Sequence, residues 1–388
     1  MKPLSSLTNN LHQSDIRSVT ARVNAVNGIN LGQGICDMPA PGPIKEEAKK
    51  AIDQDKSIYA PFGGADPLVD RIMDKVRSFN QIPVKGAENI LVTAGSTGAF
   101  ATAAFALLEP GDEVIQFEPL YGYHSKLLDL RGVTQKSLAL QKPSWEVDFD
   151  KLESLITPNT KAIVLTTPNN PCGKVWSPEE LETLLELLIK HDLYAITDEV
   201  YEYMTYDGRE HLSLASLDGA FERTITLSSF SKTFNMTGWR LGYATGPEEI
   251  IEKMGLLNDI LYICAPTPLQ YGLAEGFATG SSYYDQLLKD YDKKRTMMCR
   301  ALESAGFDVP WPEGAYYVLA NFRPLAGQPG FSNDQEACST LIERVGIGSV
   351  PGGSFYSNPD DGKFQLRFCF AKKEEELKEA CRGLEGLT

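Results

Sequence analysis

Ser-Phe-Ser-Lys-Thr-Phe-Asn-Met-Thr-Gly-Trp-Arg, residues 229–240, constrains the interpretation of this chain more than any other segment. It follows a β-branched run at residues 224–227, which predicts a buried strand. Lys232 then comes in a predicted loop that is rich in hydroxyl side chains and closed by glycine and Arg240. Lysine is strongly hydrated and is rarely buried unless it has a partner or a covalent role. One such role is a Schiff base with a carbonyl compound, whose phosphate the hydroxyls and Arg240 would bind.

The segments on both sides of this stretch alternate between strand-like and helix-like patterns. Ser177 is predicted to cap a helix, because Glu180 completes a capping box and leucines follow at helical spacing. A second, alanine-rich helix is predicted at residues 96–108. The predicted strands are residues 89–93, 113–117, 162–165, 193–196 and 224–227. This order predicts an α/β fold with a mostly parallel sheet and helices on both faces.

The two ends of the chain have a different pattern. Residues before about Pro43 are rich in glycine and proline and predict loops. A long charged helix begins near Asp285, and residues 363–370 then alternate, with apolar side chains on one face and Gln365 and Arg367 on the other. We expect a large α/β domain and a smaller α+β domain assembled from both termini. The expected bounds are residues 44–285 for the large domain, and residues 1–43 and 286–388 for the small domain.

The composition argues against several classes of partner. The 388 residues include 37 basic and 52 acidic side chains, and the net charge of −15 disfavours nucleic acid and anionic membranes as main partners. The N-terminal residues lack the long apolar core of a signal peptide. The most apolar segment, residues 99–108, is too short to span a bilayer. We therefore expect a cytoplasmic protein.

The cysteines and histidines give no sign of a metal centre. Seven cysteines are scattered without a Cys-x-x-Cys pair, so free thiols are expected. Only four histidines occur, and none is spaced in the sequence to share a metal site with another ligand. We therefore expect no bound metal.

Five groups of candidate residues each follow the carboxyl end of a predicted strand, the edge at which open parallel sheets bind ligands. The turn from Gly95 through Ser96 and Thr97 to Gly98 opens a helix, whose free N–H groups could bind an anion. A plain helix cap is the simpler interpretation of that turn alone. Tyr121 follows the next strand and could stack on a planar ring, although core packing is the simpler interpretation for one aromatic residue.

Asn170 and Asp198 follow the third and fourth strands. Prolines on both sides fix the backbone near Asn170, which suits an amide held toward a ligand oxygen as well as a plain Asn-Pro turn. Asp198 ends a buried strand and needs a cationic or N–H partner, which a protonated pyridine nitrogen would supply. A helix N-cap is the alternative, and Tyr201, one helical turn further on, would share the same face.

Lys232 follows the fifth strand, and its hydroxyl neighbours weaken the alternative of a solvated loop lysine. A lysine, a carboxylate for a ring nitrogen and a phosphate cradle are the parts that an enzyme using pyridoxal 5'-phosphate (PLP) needs. The order of these groups resembles a class I aminotransferase of the aspartate aminotransferase superfamily, PLP-dependent fold type I. Within it, the chain is similar to the bacterial aspartate, methionine and kynurenine–glutamine transaminases.

The resemblance extends nearly from end to end. Singly most of its motifs are weak, but jointly they are highly specific. They are Asn30-Leu31-Gly32-Gln33-Gly34 with Asp37 and Pro39, Tyr59 to Gly63, Gly95-Ser96-Thr97-Gly98, Pro168-Asn169-Asn170-Pro171-Cys172-Gly173, Thr197-Asp198-Glu199-Val200-Tyr201, Ser229-Phe230-Ser231-Lys232, Gly238-Trp239-Arg240-Leu241-Gly242-Tyr243, and Arg367-Phe368-Cys369-Phe370.

The resemblance implies a role for each matching residue around the cofactor ring. Lys232 would form the internal aldimine and move the proton. Asp198 would pair with the pyridine nitrogen, and Tyr121 would stack on the ring. Tyr201 and Asn170 would hold the ring hydroxyl oxygen.

The same resemblance implies how the phosphate is bound. Ser96 and Thr97, largely through their backbone, would hold it together with Ser229 and Arg240. Tyr59 would reach the phosphate of a neighbouring subunit, so the active unit is expected to be a homodimer.

For the substrate, the resemblance implies that Arg367 binds the α-carboxylate in a bidentate manner, helped by the Gly34 backbone and by Asn170. An arginine on the polar face of a strand is usually solvated, and the family match favours binding instead. The segment after Tyr59 differs somewhat from the family's usual one. No second arginine clearly matches a side-chain carboxylate, which puts strict aspartate specificity in doubt.

The implied activity is that of a transaminase of the EC 2.6.1 type, which moves an amino group from an L-amino acid to a 2-oxo acid by a ping-pong mechanism. A carbon–sulfur β-lyase would use the same residues, and pyruvate release from cystathionine without an amino acceptor would favour it. A PLP-binding transcription regulator would carry a basic DNA-binding domain ahead of the motifs. Here the motifs start near Gly32 and the chain is acidic, which disfavours that class.

Overall fold

The computed structural model of the chain describes Lys2, Ser5 and residues 15–387, so most of residues 1–14, which the sequence assigns to the small domain, lie outside the described residues. The chain divides into two units, described separately below. The large unit comprises Ile35–Asp292 and Glu313–Ala315, and the small unit comprises Met1–Gly34, Lys293–Pro312 and Tyr316–Thr388. The expected domain bounds, with residues 44–285 as the large domain, stay a prediction.

The elements follow one another in a strand–helix alternation through the middle of the chain. The strands among the described residues are β1 (Ile29–Asn30), β2 (Ile90–Thr93), β3 (Glu113–Glu118), β4 (Thr134–Ala139), β5 (Thr160–Thr166), β6 (Tyr194–Asp198), β7 (Thr224–Ser229), β8 (Gly242–Thr245), β9 (Tyr317–Asn321), β10 (Ile347–Gly348), β11 (Val350–Pro351) and β12 (Gln365–Cys369). The α-helices are α1 (Asp15–Ala25), α2 (Gly42–Asp53), α3 (Asp66–Ser78), α4 (Gly95–Leu107), α5 (Gly122–Arg131), α6 (Phe149–Leu155), α7 (Pro178–Lys190), α8 (Phe230–Thr233), α9 (Glu248–Tyr262), α10 (Thr267–Ala274), α11 (Ser281–Ser304), α12 (Asp334–Val345) and α13 (Glu374–Glu385).

Seven strands form the sheet of the large unit in the order β2-β8-β7-β6-β5-β3-β4. Neighbouring strands are parallel except at β8, which is antiparallel to both β2 and β7. The α/β fold with a mostly parallel sheet is therefore confirmed. The carboxyl ends of β2, β3, β5, β6 and β7 lie together at one edge, which we call the carboxyl edge.

The core of the large unit lies on both faces of this sheet. Along β2, Ile90 and Val92 belong to one buried cluster and Leu91 to another, because successive strand residues point to opposite faces. Side chains of α2, α3 and α10 complete the first cluster, and those of α4, α5 and α9 complete the second. Full burial of a side chain such as Phe100 stabilises the fold by about 1.5–3 kcal/mol. Helices on both faces thus hold the carboxyl edge in place.

The capping signals read from the sequence are present in the structure. The Ser177 side chain accepts a hydrogen bond from the Glu180 amide at 3.2 Å, and the Glu180 carboxylate accepts one from the Ser177 amide at 3.0 Å. These bonds satisfy N–H groups that the start of a helix leaves open, so α7 begins at Pro178 as predicted. The start of α7 in turn fixes the loop that leaves β5 at the carboxyl edge.

The small unit has a sheet of its own in the order β11-β12-β9, with all neighbours antiparallel, and a parallel pair of β1 with β10. The residues before about Pro43 were predicted to be rich in loops, and among them the structure has an 11-residue helix, α1, that the sequence analysis did not identify. Val19 and Val23, four residues apart on α1, are buried, and both pack against Gly348. Because most residues around these two valines are polar, the helical pattern of apolar residues is too weak to recognise in the sequence.

Two expectations about the whole chain can be compared with the described residues. No α-helix among them is long and apolar enough to cross a membrane. All seven cysteines are free, and six of them are buried, which confirms the expectation of free thiols.

Candidate active site

The carboxyl edge brings together the five groups that follow the predicted strands. Strand pairing aligns Thr93 and Ser229 on either side of Gly242, which places the turn after β2 beside the end of β7. Asp198 pairs in register with Thr166 on one side and with Leu227 on the other. Residues following β2, β7, β6, β5 and β3 therefore line one continuous edge in that order.

The start of α4 forms an anion cradle with Arg240. Gly95 has φ of +71°, which favours glycine, and no side chain caps the helix, so its first N–H groups are open to a ligand. The guanidinium of Arg240 lies directly against Gly95, where any Cβ would collide with it, and it donates to the Ala94 carbonyl at 3.4 Å. Ser96 is half-buried and Thr97 is exposed on the first turn. A helix N-terminus and a guanidinium at one point match a phosphate.

Ser229 ends β7 and caps the short helix that carries Lys232. The Ser231 amide donates to Ser229 Oγ at 3.2 Å, and that hydroxyl lies 3.1 Å from the Leu241 carbonyl. The prediction that Lys232 lies in a loop was wrong, because this cap closes one helical turn, α8, directly after the strand. The Lys232 side chain is half-buried, and its Nζ lies 6.0 Å from the centre of the Tyr201 ring.

Asp198 is the last residue of β6 and is only 4% exposed. Its Oδ1 accepts from the Val200 amide at 3.3 Å, and Tyr201 beyond it is buried as well. The predicted helical face shared by Asp198 and Tyr201 was wrong, because the chain after β6 forms successive turns. The Glu202 amide donates to the Glu199 carbonyl at 3.1 Å and closes one of these turns. Turns, rather than a helix, therefore set the spacing of Asp198 and Tyr201.

The partner that Asp198 was expected to need includes His124, which sequence reasoning missed. His124 Nε2 lies 3.0 Å from Asp198 Oδ2, and both side chains are buried. The imidazole stacks on Phe100, with 4.1 Å between centroids, and meets the Tyr121 ring edge-on at 5.1 Å. His124 thus fixes the carboxylate and the aromatic ring together. The available signal was its position on the first turn of α5, three residues after Tyr121, which is the N-cap residue of that helix.

The loop after β5 holds Asn170 in a buried position. The Thr167–Pro168 peptide is cis, and the Asn169 side chain accepts from the Cys172 amide at 3.1 Å. The Asn169 side chain therefore stabilises the loop through a hydrogen bond to the loop's own backbone. Its neighbour Asn170 is 4% exposed at the carboxyl edge. Burial raises the pKa of Cys172 to about 12, which makes this thiol a poor nucleophile.

Arg367 lies at the centre of β12 in the small unit and is 1% exposed. Its Nη2 donates to the Gly32 carbonyl at 2.6 Å, and its guanidinium carbon lies 4.3 Å from the Tyr317 ring centre and 5.0 Å from that of Phe355. The sequence predicted an alternating strand, but all five residues of β12 are buried. The polar face is covered because neighbouring segments supply aromatic rings and backbone carbonyls.

Gly34 belongs to the same small-unit arrangement as Arg367. The Tyr317 hydroxyl lies where a Cβ on residue 34 would be, so only glycine fits there. The Tyr316 hydroxyl donates to the Gly34 carbonyl at 3.2 Å. Gly34 and Arg367 therefore both contact Tyr317, Gly34 at its hydroxyl and Arg367 at its ring.

Tyr59 is 73% exposed and is one of several exposed apolar side chains in two segments of the large unit, residues 58–62 and 260–263. Phe62 of the first segment lies against Gly255 of α9, the helix that carries most of the second segment. We call these side chains together the apolar patch. The patch comprises Ile58 (79% exposed), Tyr59, Phe62 (51%), Ile260 (78%), Leu261 (48%), Tyr262 (40%) and Ile263 (48%). Tyr262 of the patch lies beside Gly98 of the anion cradle, 3.7 Å from where its Cβ would be.

The structure also gathers charged groups that the sequence did not connect. One side-chain atom of each of Glu199, Glu202 and His211, of the kind that binds metal ions, lies within 4.8 Å of the other two. Their spacing in the sequence had suggested no shared metal site. The ammonium of Lys75 pairs with Glu202 in the same place, so a cation from the chain itself is already present. These groups are part of what we call the buried charge cluster, which comprises Lys75, Asn80, Glu199, Glu202, His211 and Ser213.

The donor set at the carboxyl edge fits PLP. The anion cradle at Gly95 and Arg240 suits its phosphate, and the buried Asp198 carboxylate suits a protonated ring nitrogen. Tyr121 offers an aromatic face beside His124, and Lys232 follows directly from the capped strand end. Each chemical feature of the cofactor therefore has a matching group in the large unit.

Comparisons with known proteins support this interpretation. The family model described as "Aminotransferase class I and II" matches residues 26–384. The probable N-succinyldiaminopimelate aminotransferase of Mycobacterium tuberculosis is 33% identical over 381 residues, which cover 95% of both chains. Human kynurenine–oxoglutarate transaminase 3 is 35% identical, over 91% of this chain and 83% of its own.

A solved structure gives the same result at the level of the fold. The crystal structure of an Escherichia coli protein identified as a methionine aminotransferase superposes with a TM-score of 0.94 and 30% identity, over 100% of both chains. The chain therefore belongs to the class I and II aminotransferases, and it is a PLP-dependent transaminase.

Proposed function

We propose that this enzyme moves the amino group of an L-amino acid to a 2-oxo acid by a ping-pong reaction, with Lys232 at the carboxyl edge as the Schiff-base lysine. The observation that carries the proposal is the convergence at that edge of Lys232, the Asp198–His124 pair and the anion cradle of Gly95 with Arg240. When bound, PLP supplies an electron sink for the substrate α-carbon. The residues of the chain supply orientation, charge and proton transfer.

Lys232 is proposed to carry the proton of the reaction. Its amine, once released by an incoming amino acid, would take the proton from the substrate α-carbon at Nζ and would deliver it to the aldehyde-derived carbon of the cofactor instead of returning it to the α-carbon. The half-buried position of Lys232, with Nζ 6.0 Å from the Tyr201 ring centre, allows the amine to be reached while its surroundings stay ordered. The backbone of Lys232 lies in the short helix α8, which begins directly after β7.

Asp198 is proposed to keep the ring nitrogen of the cofactor protonated. A buried carboxylate favours a nearby positive charge, and His124 at 3.0 Å fixes its orientation. Tyr201 and Asn170, both buried at the same edge, are proposed to hold the ring hydroxyl oxygen. Tyr121 is proposed to stack on the ring.

The phosphate is assigned to the anion cradle. Ser96, Thr97, Ser229 and Arg240 are proposed to bind it. Ser96 and Thr97 lie on the uncapped start of α4, Ser229 ends β7, and the Arg240 guanidinium lies against Gly95. A Cβ at Gly242 would lie only 2.7 Å from the Ser96 amide, so the two segments approach closely.

Arg367 and Gly34 are proposed to bind the α-carboxylate of the substrate, with help from Asn170. The aromatic rings of Tyr317 and Phe355 hold the guanidinium in a fixed plane, which suits bidentate recognition. We propose that the amino donor is not restricted to aspartate. The diverse substrates named for the relatives, among them N-succinyldiaminopimelate and kynurenine, support this breadth.

A second copy of the chain is proposed to cover the apolar patch. Exposed large apolar side chains that cluster in this way mark interfaces between proteins. Because Tyr262 of the patch lies beside the anion cradle, a second copy seated there would bring its own Tyr59 toward the phosphate. The active unit is then a homodimer, and neither nucleic acid nor membrane is a proposed partner.

Two further assignments are proposals of the same standing. The free cysteines support a reducing, cytoplasmic environment. Residues 44–285 are proposed as the large PLP-binding domain, and residues 1–43 and 286–388 as the small domain.

The proposal is tested with a panel of L-amino acids against 2-oxoglutarate and pyruvate, using the wild type, Lys232→Ala and the control Lys253→Ala, whose lysine is 54% exposed. We expect 2-oxo acid release by the wild type and the control only. Near-normal transamination by Lys232→Ala would overturn the assignment. Pyruvate release from cystathionine without an acceptor would point to a β-lyase instead.

A further inference from the structure

The buried charge cluster includes Glu199 and Glu202, which belong to the same turn as Tyr201. Glu199 follows Asp198 and Glu202 follows Tyr201 in the sequence, so two cluster residues alternate with two residues of the carboxyl edge. The Glu199 carboxylate accepts from Thr197 Oγ1 at 2.9 Å and lies 2.8 Å from His211 Nε2. It also accepts from the Ser213 hydroxyl at 2.5 Å. One end of the turn is therefore anchored by several bonds.

Glu202 anchors the other end of the turn. Its carboxylate pairs with Lys75 and accepts from Asn80 Nδ2 and from the Ser228 hydroxyl, each at 2.9 Å. Burial opposes the ionisation of Glu202, but Lys75 and His211 outweigh burial and hold its pKa below the usual value. Glu202 is thus an ionised, fully satisfied anchor.

Lys75 is held as tightly as the carboxylate it neutralises. Its Nζ donates to Asn80 Oδ1 at 2.6 Å and to the Tyr243 hydroxyl at 3.0 Å. Three rings surround the ammonium, with the centres of Phe79, Tyr203 and Tyr243 at 5.1, 5.5 and 5.7 Å. The lysine comes from α3, 127 positions before Glu202, so the pair ties a distant helix to the turn.

Stability alone does not account for such a pair. Replacing a buried ion pair with apolar side chains of similar volume is often neutral or stabilising. Ionic groups with directional bonds, in contrast, fix one orientation of the backbone that carries them. Here that backbone is the turn between Glu199 and Glu202, and the side chain it orients is Tyr201.

We propose that Lys75 and Glu202 are positioning residues of the active site, which hold the Tyr201 hydroxyl toward the ring oxygen of the cofactor. The inference rests on the proposed role of Tyr201. A hydroxyl that donates to an anionic oxygen stabilises the deprotonated form, so losing it raises the pH midpoint of the visible absorption band of the holoenzyme. A misplaced Tyr201 therefore has a spectroscopic signature that a loss of fold stability does not produce.

The test uses the double variant Lys75→Met/Glu202→Gln, which removes both charges and keeps similar shapes. The control, Lys190→Met/Glu153→Gln, removes an exposed ion pair of the same type at 2.6 Å. For the folded double variant we expect a midpoint about one pH unit higher and a PLP dissociation constant about tenfold higher. The control is expected to match the wild type in both. A folded double variant with the midpoint and dissociation constant of the wild type overturns the inference.

The variant Tyr201→Phe separates this inference from the proposed function. If the cluster acts through Tyr201, the triple variant has the midpoint of Tyr201→Phe alone, and additive shifts overturn the inference. If Tyr201→Phe alone leaves the midpoint unchanged while the cluster is intact, the proposed role of Tyr201 fails, and the inference fails with it. Should the double variant not fold, Ser228→Ala removes one bond to Glu202 and must raise the midpoint in the same direction. No shift in that variant overturns the inference as well.

Discussion

The carboxyl edge and the buried charge cluster meet at the turn after β6, yet they differ in how their charges are arranged. At the edge, Lys232 is half-buried and Arg240 is exposed, beside a helix start that no side chain caps. In the cluster, Lys75 and Glu202 are 7% and 4% exposed and pair with each other. This contrast supports the proposal that the lysine neutralised from within the chain maintains structure, whereas the lysine left accessible beside the anion cradle takes part in the chemistry.

The largest expected effect comes from removing the accessible lysine. Lys232→Ala should lower kcat at least about 10⁴-fold, because the proposed covalent bond to the cofactor and the proposed proton carrier are both lost. Steady-state transamination rates measure the loss, with Lys253→Ala as the control. Retention of more than a few per cent of wild-type kcat would mean that Lys232, like Lys75, has no direct role in catalysis.

Asp198 of the carboxyl edge and Glu199 of the buried charge cluster are adjacent in the sequence, so substituting each one compares the two regions directly. Asp198→Asn should lower kcat about 100-fold while the melting temperature changes little, because the proposed charged hydrogen bond to the ring nitrogen is lost. Glu199→Gln should instead lower the melting temperature by several degrees and affect kcat at most about tenfold, since it weakens the buried bonds to His211 and Ser213. Thermal melts and kcat values from the same preparations decide between them. If Asp198→Asn mainly lowered the melting temperature and Glu199→Gln mainly lowered kcat, the assignment of catalysis to the edge and of stability to the cluster would be contradicted.

Substituting Arg367 tests whether a buried cation can bind the substrate as well as maintain structure. Arg367→Lys should raise KM for the amino donor about 10–50-fold, because lysine loses the bidentate fork. Arg323→Lys is the control, since its guanidinium carbon also lies 4.3 Å from an aromatic ring centre, that of Phe364. Initial rates over a range of donor concentrations measure the change. Equal KM values for the two variants would leave Arg367 with a structural role, like Lys75.

The smallest expected effect concerns acid stability. Glu202 has a pKa below the usual 4.5 in the folded protein, so below pH 4.5 the unfolded chain binds the proton first and stability falls. The contribution is complete above pH 4.5 and is lost by about 1.4 kcal/mol per pH unit down to the folded pKa. Melting temperatures of the wild type and Glu202→Gln between pH 6 and pH 3 should therefore converge as the pH falls. Parallel curves would contradict an ionised Glu202 in the cluster.

The same contrast explains what could be predicted from the sequence. Gly95, Asn170, Asp198 and Lys232 each follow a strand with strong local signals, and parallel strands bring such ends to one edge whatever the details of packing. Lys75 could not be found in this way, because its partner Glu202 is 127 positions away and only the packing of α3 joins them.

Arg367 and His124 are intermediate cases. Alternation predicted the strand of Arg367, but its burial depends on Tyr317 and Phe355, which come from other segments. His124 lies on the first turn of α5, three residues after Tyr121, yet its contact with Asp198 depends on the order of β3 and β6 in the sheet. Helix α8 was missed because a single capped turn is too short to leave a periodic pattern.

The central claim is that Lys232, and not the buried Lys75, bonds to the cofactor. Reducing the holoenzyme with sodium borohydride and mapping its peptides by mass spectrometry tests this claim most directly. The account predicts a phosphopyridoxyl group on Lys232 alone. A phosphopyridoxyl group on any other lysine, or a fully loaded enzyme in which Lys232 stays unmodified, would contradict it.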